Sequence, residues 1–195
     1  MAGVRILLID ENPERAGVLA AALREQNYDL VAQLAPRDLN AQRVQEIAPD
    51  VIIVDMESPS RDTIDSMRQI NAEQPRPVVM FVDQSDESMI QQAMQAGVSA
   101  YIIDGLNVNR VKPIVDVAIA RFREFQALRE ELQKTRASLN ERKIIDRAKG
   151  LLMRERGLGE DEAYAALRKL AMDRQQRLVD VAENLLTFAD LLKKK

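Results

Sequence analysis

Two sets of side chains in this 195-residue chain combine residue type and position in ways that could do chemistry. The first is acidic. Asp10 and Glu11 close an apolar run at residues 5–9, and Asp55 closes another at 51–54. If both runs are neighbouring strands, three carboxylates gather at one sheet edge, where hard oxygen donors would seat a Mg2+ ion beside a carboxylate able to accept a group. The same acids equally suit helix caps or solvated turns. The second set is basic. Lys149, Arg168, Lys169, Arg174 and Arg177 lie in or between amphipathic segments near the C-terminus, with the charge to neutralise the phosphates of a nucleic acid.

Inventory removes most other chemistry. With no Cys and no His, disulfides, Cys-based zinc sites, thiol nucleophiles and Ser-His-Asp or Cys-His catalysis are excluded, and no enzyme is expected. Arg5 interrupts the N-terminal apolar run, and no apolar stretch approaches the length that spans a bilayer, so the chain reads as cytoplasmic with no membrane partner. The net charge of −3 conceals an asymmetry: residues 1–112 hold 10 Lys+Arg against 17 Asp+Glu, and residues 113–195 hold 18 against 14. An acidic regulatory domain joined to a polyanion-binding tail would show this balance, as would ordinary solvated helices.

The elements that must position the acids follow from pattern. Short β-branched or apolar runs at residues 5–9, 30–34, 51–54, 78–82 and 100–103 alternate with longer helical patterns, which predicts a five-stranded parallel α/β sheet. Val51-Ile52-Ile53-Val54 is apolar on both faces, as a central strand covered by helices on each side must be. In such sheets the ligand crevice lies at the C-terminal strand ends, where the acids stand.

With Asp10, Glu11, Asp55, Ala96-Gly97-Val98 and Tyr101 in these places, residues 4–125 resemble the response-regulator receiver domain, a flavodoxin-like fold. The resemblance implies that Asp55 is the phosphoacceptor and that Mg2+ sits with Asp10, Glu11 and Asp55, although no cofactor is required. Two positions depart from the pattern. Where receivers end the fourth strand in Thr or Ser and the fifth in Lys, this chain has Val82 and Asp104. Val82 cannot donate a hydrogen bond to a phosphoryl oxygen, and Asp104 adds an anion where a cation is needed. A like-charge pair about 4 Å apart costs roughly 4 kcal/mol at an effective dielectric near 20, which weighs against phosphorylation of Asp55. The alternative is that Ser85 or Lys112 takes over the missing function.

From Val111 a helical pattern runs on without Pro or Gly between Pro113 and Gly150. Ala118, Phe125, Leu132 and Leu139 recur every seven residues, with Ile114 and Leu128 between them, so a parallel coiled-coil homodimer could use this seam. A single long helix packed on its own domains explains the first half equally well.

Three amphipathic segments then follow, divided at residues 156–159 and 174–177. Ala148-Lys149-Gly150, Leu152-Met153, Glu162-Ala163-Tyr164, Leu167-Arg168 and Val181-Ala182 resemble the ANTAR domain, a three-helix RNA-binding module of transcription antiterminators. Leu151, Leu152, Ala163, Leu167, Leu170, Val181 and Leu185 read as core on spacing alone. Arg142 and Arg154 read as solvated or as partners of Glu141 and Glu155.

The expected organisation is therefore a receiver-like domain at 1–112, a helical coiled-coil connector at 113–140 and a three-helix ANTAR domain at 141–195. The resemblance implies an antiterminator that binds paired hairpins in a leader RNA and blocks the terminator hairpin. The Asp104-Gly105-Leu106 ending is similar to the nitrate-responsive, NasT-type branch of that family, which implies control by a nitrate/nitrite sensor protein of the NasS type. A phosphorylation-controlled antiterminator and a DNA-binding response regulator are the alternatives, the latter lacking an obvious recognition helix; DNA is not an expected partner.

Overall fold

The computed structural model describes residues 3–103 and 107–193. The five apolar runs form one sheet from β1 (Arg5–Asp10), β2 (Asp29–Leu34), β3 (Val51–Met56), β4 (Val78–Val82) and β5 (Ala100–Ile103). Every pairing is parallel and the spatial order is β2-β1-β3-β4-β5. Helices α1 (Pro13–Glu25), α2 (Ala41–Ile47), α3 (Arg61–Glu73) and α4 (Glu87–Gln95) make the crossovers, and α5 (Val108–Arg156) follows the last strand. Side chains alternate across each strand. Leu7, Ile9, Ile52, Val54, Met56, Met80 and Val82 therefore meet α2, α3 and α4, while Ile6, Leu8, Ile53, Val79 and Phe81 meet α1 and the start of α5.

Local chemistry starts each helix. Asn40, Ser60 and Asp86 cap α2, α3 and α4 by accepting from the backbone N–H of Arg43, Thr63 and Met89 at 2.9, 3.1 and 2.8 Å. Helix α4 ends at Gly97, whose φ of +97° suits glycine alone, and a Cβ there would stand 2.3 Å from the Asn71 side chain. Gly97→Ala is expected to lower stability by about 1–3 kcal/mol, read as a shifted urea midpoint with unchanged slope.

The first turns of α5 are tied into the sheet domain. Val111, Val115 and Ala118 are buried in its core. The buried Tyr28 hydroxyl donates to Asp116 at 3.1 Å, Lys112 reaches the same carboxylate at 3.4 Å and lies 5.1 Å over the Tyr28 ring. Burial, then the Asp116 charge and hydrogen bond, push the Tyr28 phenol up to about 12.

Compact units part between Gln126 and Ala127, within α5. In the second unit the end of α5 packs with α6 (Glu160–Arg174) and α7 (Leu178–Lys193) around Ala148, Leu167, Ala171, Val181 and Ala182. Leu151 and Ala163 are buried, and Leu152, Leu170 and Leu185 border the core. Alanines at the buried crossings leave room for helices to approach closely. No helix among the described residues is long and apolar enough to cross a membrane.

The heptad reading needs one correction. Ala118 is fully buried and Ile114 packs beside it in the sheet domain's core, so neither is free for a seam. Exposed apolar residues of the seven-residue pattern begin at Phe125, 63% exposed, and continue through Leu128, Leu132 and Leu139.

Candidate functional sites

Asp10 and Asp55 are register partners on adjacent parallel strands, so their side chains leave the same sheet face about 5 Å apart. Both are buried, Asp55 to 2% exposure. Asp10 Oδ1 accepts from the Asn12 backbone N–H at 2.6 Å, and Asn12 Oδ1 in turn accepts from Glu14 N–H at 2.9 Å, which turns the chain from β1 into α1. Beside this edge lies a cleft of about 730 Å3 lined by Asp10, Glu11, residues 33–36 and Arg37.

The expected trio of carboxylates is in fact a pair. Glu11 is exposed at the cleft wall, and among the described residues no three acidic, His or Cys side chains stand close enough to hold a metal together. Two carboxylates still fit Mg2+, which commonly takes one or two protein oxygens and fills its octahedron with water or phosphate oxygens. Asp10 and Asp55 would hold it, and its charge would draw a phosphoryl oxygen towards the same edge.

Val82 does not face that pair. It shares the parity of Met56 and Met80, is fully buried, and fills the core on the opposite sheet face. Asp104 lies outside the described residues. The two stand-ins suggested by sequence are occupied elsewhere: Ser85 Oγ is 2.7 Å from the Tyr101 hydroxyl and 3.2 Å from the Asp86 carbonyl, and Lys112 is held at Tyr28 and Asp116.

The five basic candidates of the C-terminal unit separate into two groups. Lys149 is a clasp within the bundle: its ammonium lies 2.8 Å from Asp146 and 2.8 Å from Glu160, its side chain is only 16% exposed, and hydrogen bonds to those two acids, Asp146 first, raise its pKa. It joins α5 to the first turn of α6, where the Glu162 carboxylate also accepts from Gly159 N–H at 2.9 Å. Arg177 donates to Glu141, which raises its pKa and ties the start of α7 back to α5. These ion pairs position helices and leave less charge for a ligand. Arg168, Lys169 and Arg174 are exposed, and none has an ion-pair partner among the described residues.

Sequence spacing passed over Tyr164, which stands one turn before Arg168 on α6 and is 43% exposed. A ring beside a free guanidinium can stack an unpaired base while the cation holds its phosphate. The signal was available in the i,i+4 spacing, but spacing cannot say which ring remains at the surface. Arg142 and Arg154, set aside as solvated or paired, make no ion pair among the described residues and are exposed.

A parallel sheet ordered β2-β1-β3-β4-β5 with paired aspartates on β1 and β3 defines a receiver domain, and the three-helix unit after it is the output. Matches to family models agree, covering residues 6–116 with the response regulator receiver domain and residues 133–186 with the ANTAR domain. The chain belongs to the response-regulator family and carries an ANTAR domain. It is similar to the transcriptional regulatory protein PdtaR of Mycobacterium tuberculosis, 31% identical over 182 residues, covering 93% of this chain and 89% of that one. It also matches a nitrate regulatory protein of Klebsiella oxytoca at 38% identity over 88 residues, 45% of this chain and 22% of the other. Among solved structures, the signal receiver domain of a modulated diguanylate cyclase from Desulfovibrio desulfuricans superposes with a TM-score of 0.53 at 14% identity, covering 61% of this chain and 95% of that domain, which supports the fold alone.

Proposed function

We propose that this protein is an RNA-binding transcription antiterminator that acts as a homodimer on paired leader-RNA hairpins and keeps the terminator hairpin from forming. The observation that carries this reading is the exposed trio Arg168, Lys169 and Arg174, free of ion pairs among the described residues, on an ANTAR bundle whose other candidate cations hold its helices together. Tyr164 adds the stacking surface that a hairpin loop requires. Titration with a two-hairpin leader RNA and with duplex DNA tests it: tight RNA binding with a steep salt dependence supports the reading, and preference for DNA sinks it.

The dimer uses Phe125, Leu128, Leu132 and Leu139 of α5, with Thr135 at the remaining inner position. The receiver is read by a partner protein: Val82, buried in the core of the opposite sheet face, makes no contact with a phosphoryl group at Asp55, and Ser85 and Lys112 are engaged elsewhere. The Klebsiella similarity favours nitrate or nitrite as the signal, and the partner that would hold the regulator inactive is then a nitrate/nitrite sensor of the NasS type, as the NasT-type resemblance of the sequence implies. Mixing the chain with such a sensor should give a complex on gel filtration that nitrate dissolves; a complex indifferent to nitrate and nitrite would remove the signal from the proposal.

One observation favours a second reading. Asp10 and Asp55 are adjacent, buried and beside an open cleft, which is the minimum a Mg2+-dependent phosphoryl acceptor needs. Under the sequestration reading, acetyl phosphate with Mg2+ is expected to leave less than about a tenth of the chain labelled. Stoichiometric label on the wild type that vanishes in Asp55→Asn would establish phosphorylation control instead.

A further inference from the structure

A glycine in the middle of a helix needs a reason, since it is the least favourable residue there after proline. The common reason is a neighbouring element packed against the bare backbone. Gly150 has no such neighbour: a Cβ added to it would meet nothing within 4 Å. What the missing side chain leaves is a notch on α5. Arg147, Met153 and Arg154, at positions i−3, i+3 and i+4, stand around it and line an open cleft of about 540 Å3. Both arginines are exposed and have no ion-pair partner among the described residues, while the nearby Asp146 is engaged by Lys149 at 2.8 Å. No acid lines the notch.

We propose that the Gly150 notch is a second RNA-contact surface, seating an unpaired hairpin-loop nucleotide against Met153 and the bare backbone, with Arg147 and Arg154 on the flanking phosphates. This rests on the RNA-binding reading and adds to it a site outside the α6 face. A partner helix could also use a glycine notch, but two free cations and no anion suit a polyanion better than a protein surface. Gly17 provides the contrast. It too lies within a helix with nothing near its absent Cβ, yet its neighbours one turn away are Glu14, Ala20 and Ala21.

The test sets stability against binding in the full-length chain. Gly150→Ala and Gly17→Ala each replace a poor helix former in open space, so both should raise the melting midpoint, by about 2–4 °C. Only Gly150→Ala should weaken binding to a two-hairpin RNA, by about tenfold, because the new methyl group occupies the notch. Arg147→Ala with Arg154→Ala should reduce the salt slope by about 1.5. A more stable Gly150→Ala that binds RNA as tightly as the wild type overturns the notch while leaving the antiterminator reading intact. A wild type that binds no hairpin overturns both. Unchanged RNA binding with an altered sedimentation coefficient reassigns the notch to a contact between chains and overturns the RNA assignment.

Discussion

The double variant Arg168→Ala, Lys169→Ala is expected to bind a two-hairpin leader RNA about 100-fold more weakly than the wild type near physiological salt, without loss of fold. Each side chain is an exposed cation on α6 with no intramolecular ion pair among the described residues, so removing it leaves no buried charge behind. The packing of that helix rests on Ala163, Leu167 and Ala171, which the substitutions leave in place. A charge-assisted contact to a phosphate contributes about 1.5 kcal/mol, and two of them account for the factor. The log–log salt slope should fall by about 1.5, since each neutralised phosphate releases a counterion. Equal affinity and slope in the variant would move RNA binding off this helix face. Lys149→Ala provides the comparison: it breaks the clasp to Asp146 and Glu160, so any RNA defect should come with a lower melting midpoint.

Reversing two charges on the connector, Glu124→Arg with Glu131→Arg, is expected to weaken the homodimer by about 30-fold or more, and adding Arg129→Glu with Arg136→Glu is expected to restore it. The exposed residues Phe125, Leu128, Leu132 and Leu139 place the inner seam at 125, 128, 132, 135 and 139. Glu124 and Glu131 then flank one side of the seam, and Arg129 and Arg136 flank the other. In a parallel, in-register pair, residue 124 faces 129 of the partner and 131 faces 136, so every flanking pair is Glu against Arg. In an antiparallel pair Glu would face Glu and Arg would face Arg. Two-fold symmetry doubles each contact. The reversals thus convert four attractive pairs to repulsive ones, a change of about 0.5 kcal/mol or more at each. Sedimentation equilibrium over a concentration series reads the effect. A dimer left unchanged by the first pair of substitutions would show that the chains run antiparallel, because Glu facing Glu then becomes Arg facing Arg.

Much of this organisation was legible beforehand. Residues 51–54 announced a strand covered on both faces because four consecutive β-branched residues have no other comfortable place in a soluble domain, and they became β3. Residues 156–159 and 174–177 announced the breaks between the last three helices, where Gly157 and Gln175 adopt positive φ. The absence of Pro or Gly between Pro113 and Gly150 announced an uninterrupted helix, and α5 runs unbroken through that span.

What spacing could not resolve was which of two partners an amphipathic or charged residue takes. Ala118 and Ile114 fit a seven-residue seam and equally fit the receiver's core, and only the packing against β-sheet residues decided between them. Lys149, Arg168, Lys169 and Arg177 looked alike as a list of cations. Their separation depends on Asp146, Glu160 and Glu141, the last two of which reach them from other parts of the bundle. Glu11 counted as a third metal ligand because it is next to Asp10 in sequence, but a residue past the strand end no longer obeys the register that aligns Asp10 with Asp55.

The sequence by itself determined the class of fold, the order of its elements, the receiver and ANTAR composition and the loss of a hydroxyl at Val82, because these follow from periodicity and residue type along the chain. The tertiary structure alone decided that the acidic site is a pair, that Val82 turns to the far face of the sheet, that two of five candidate cations hold helices together and that Gly150 opens on a cleft. Each of those depends on distances between residues remote in sequence, and on which side of an element a side chain leaves, which a one-dimensional pattern does not contain.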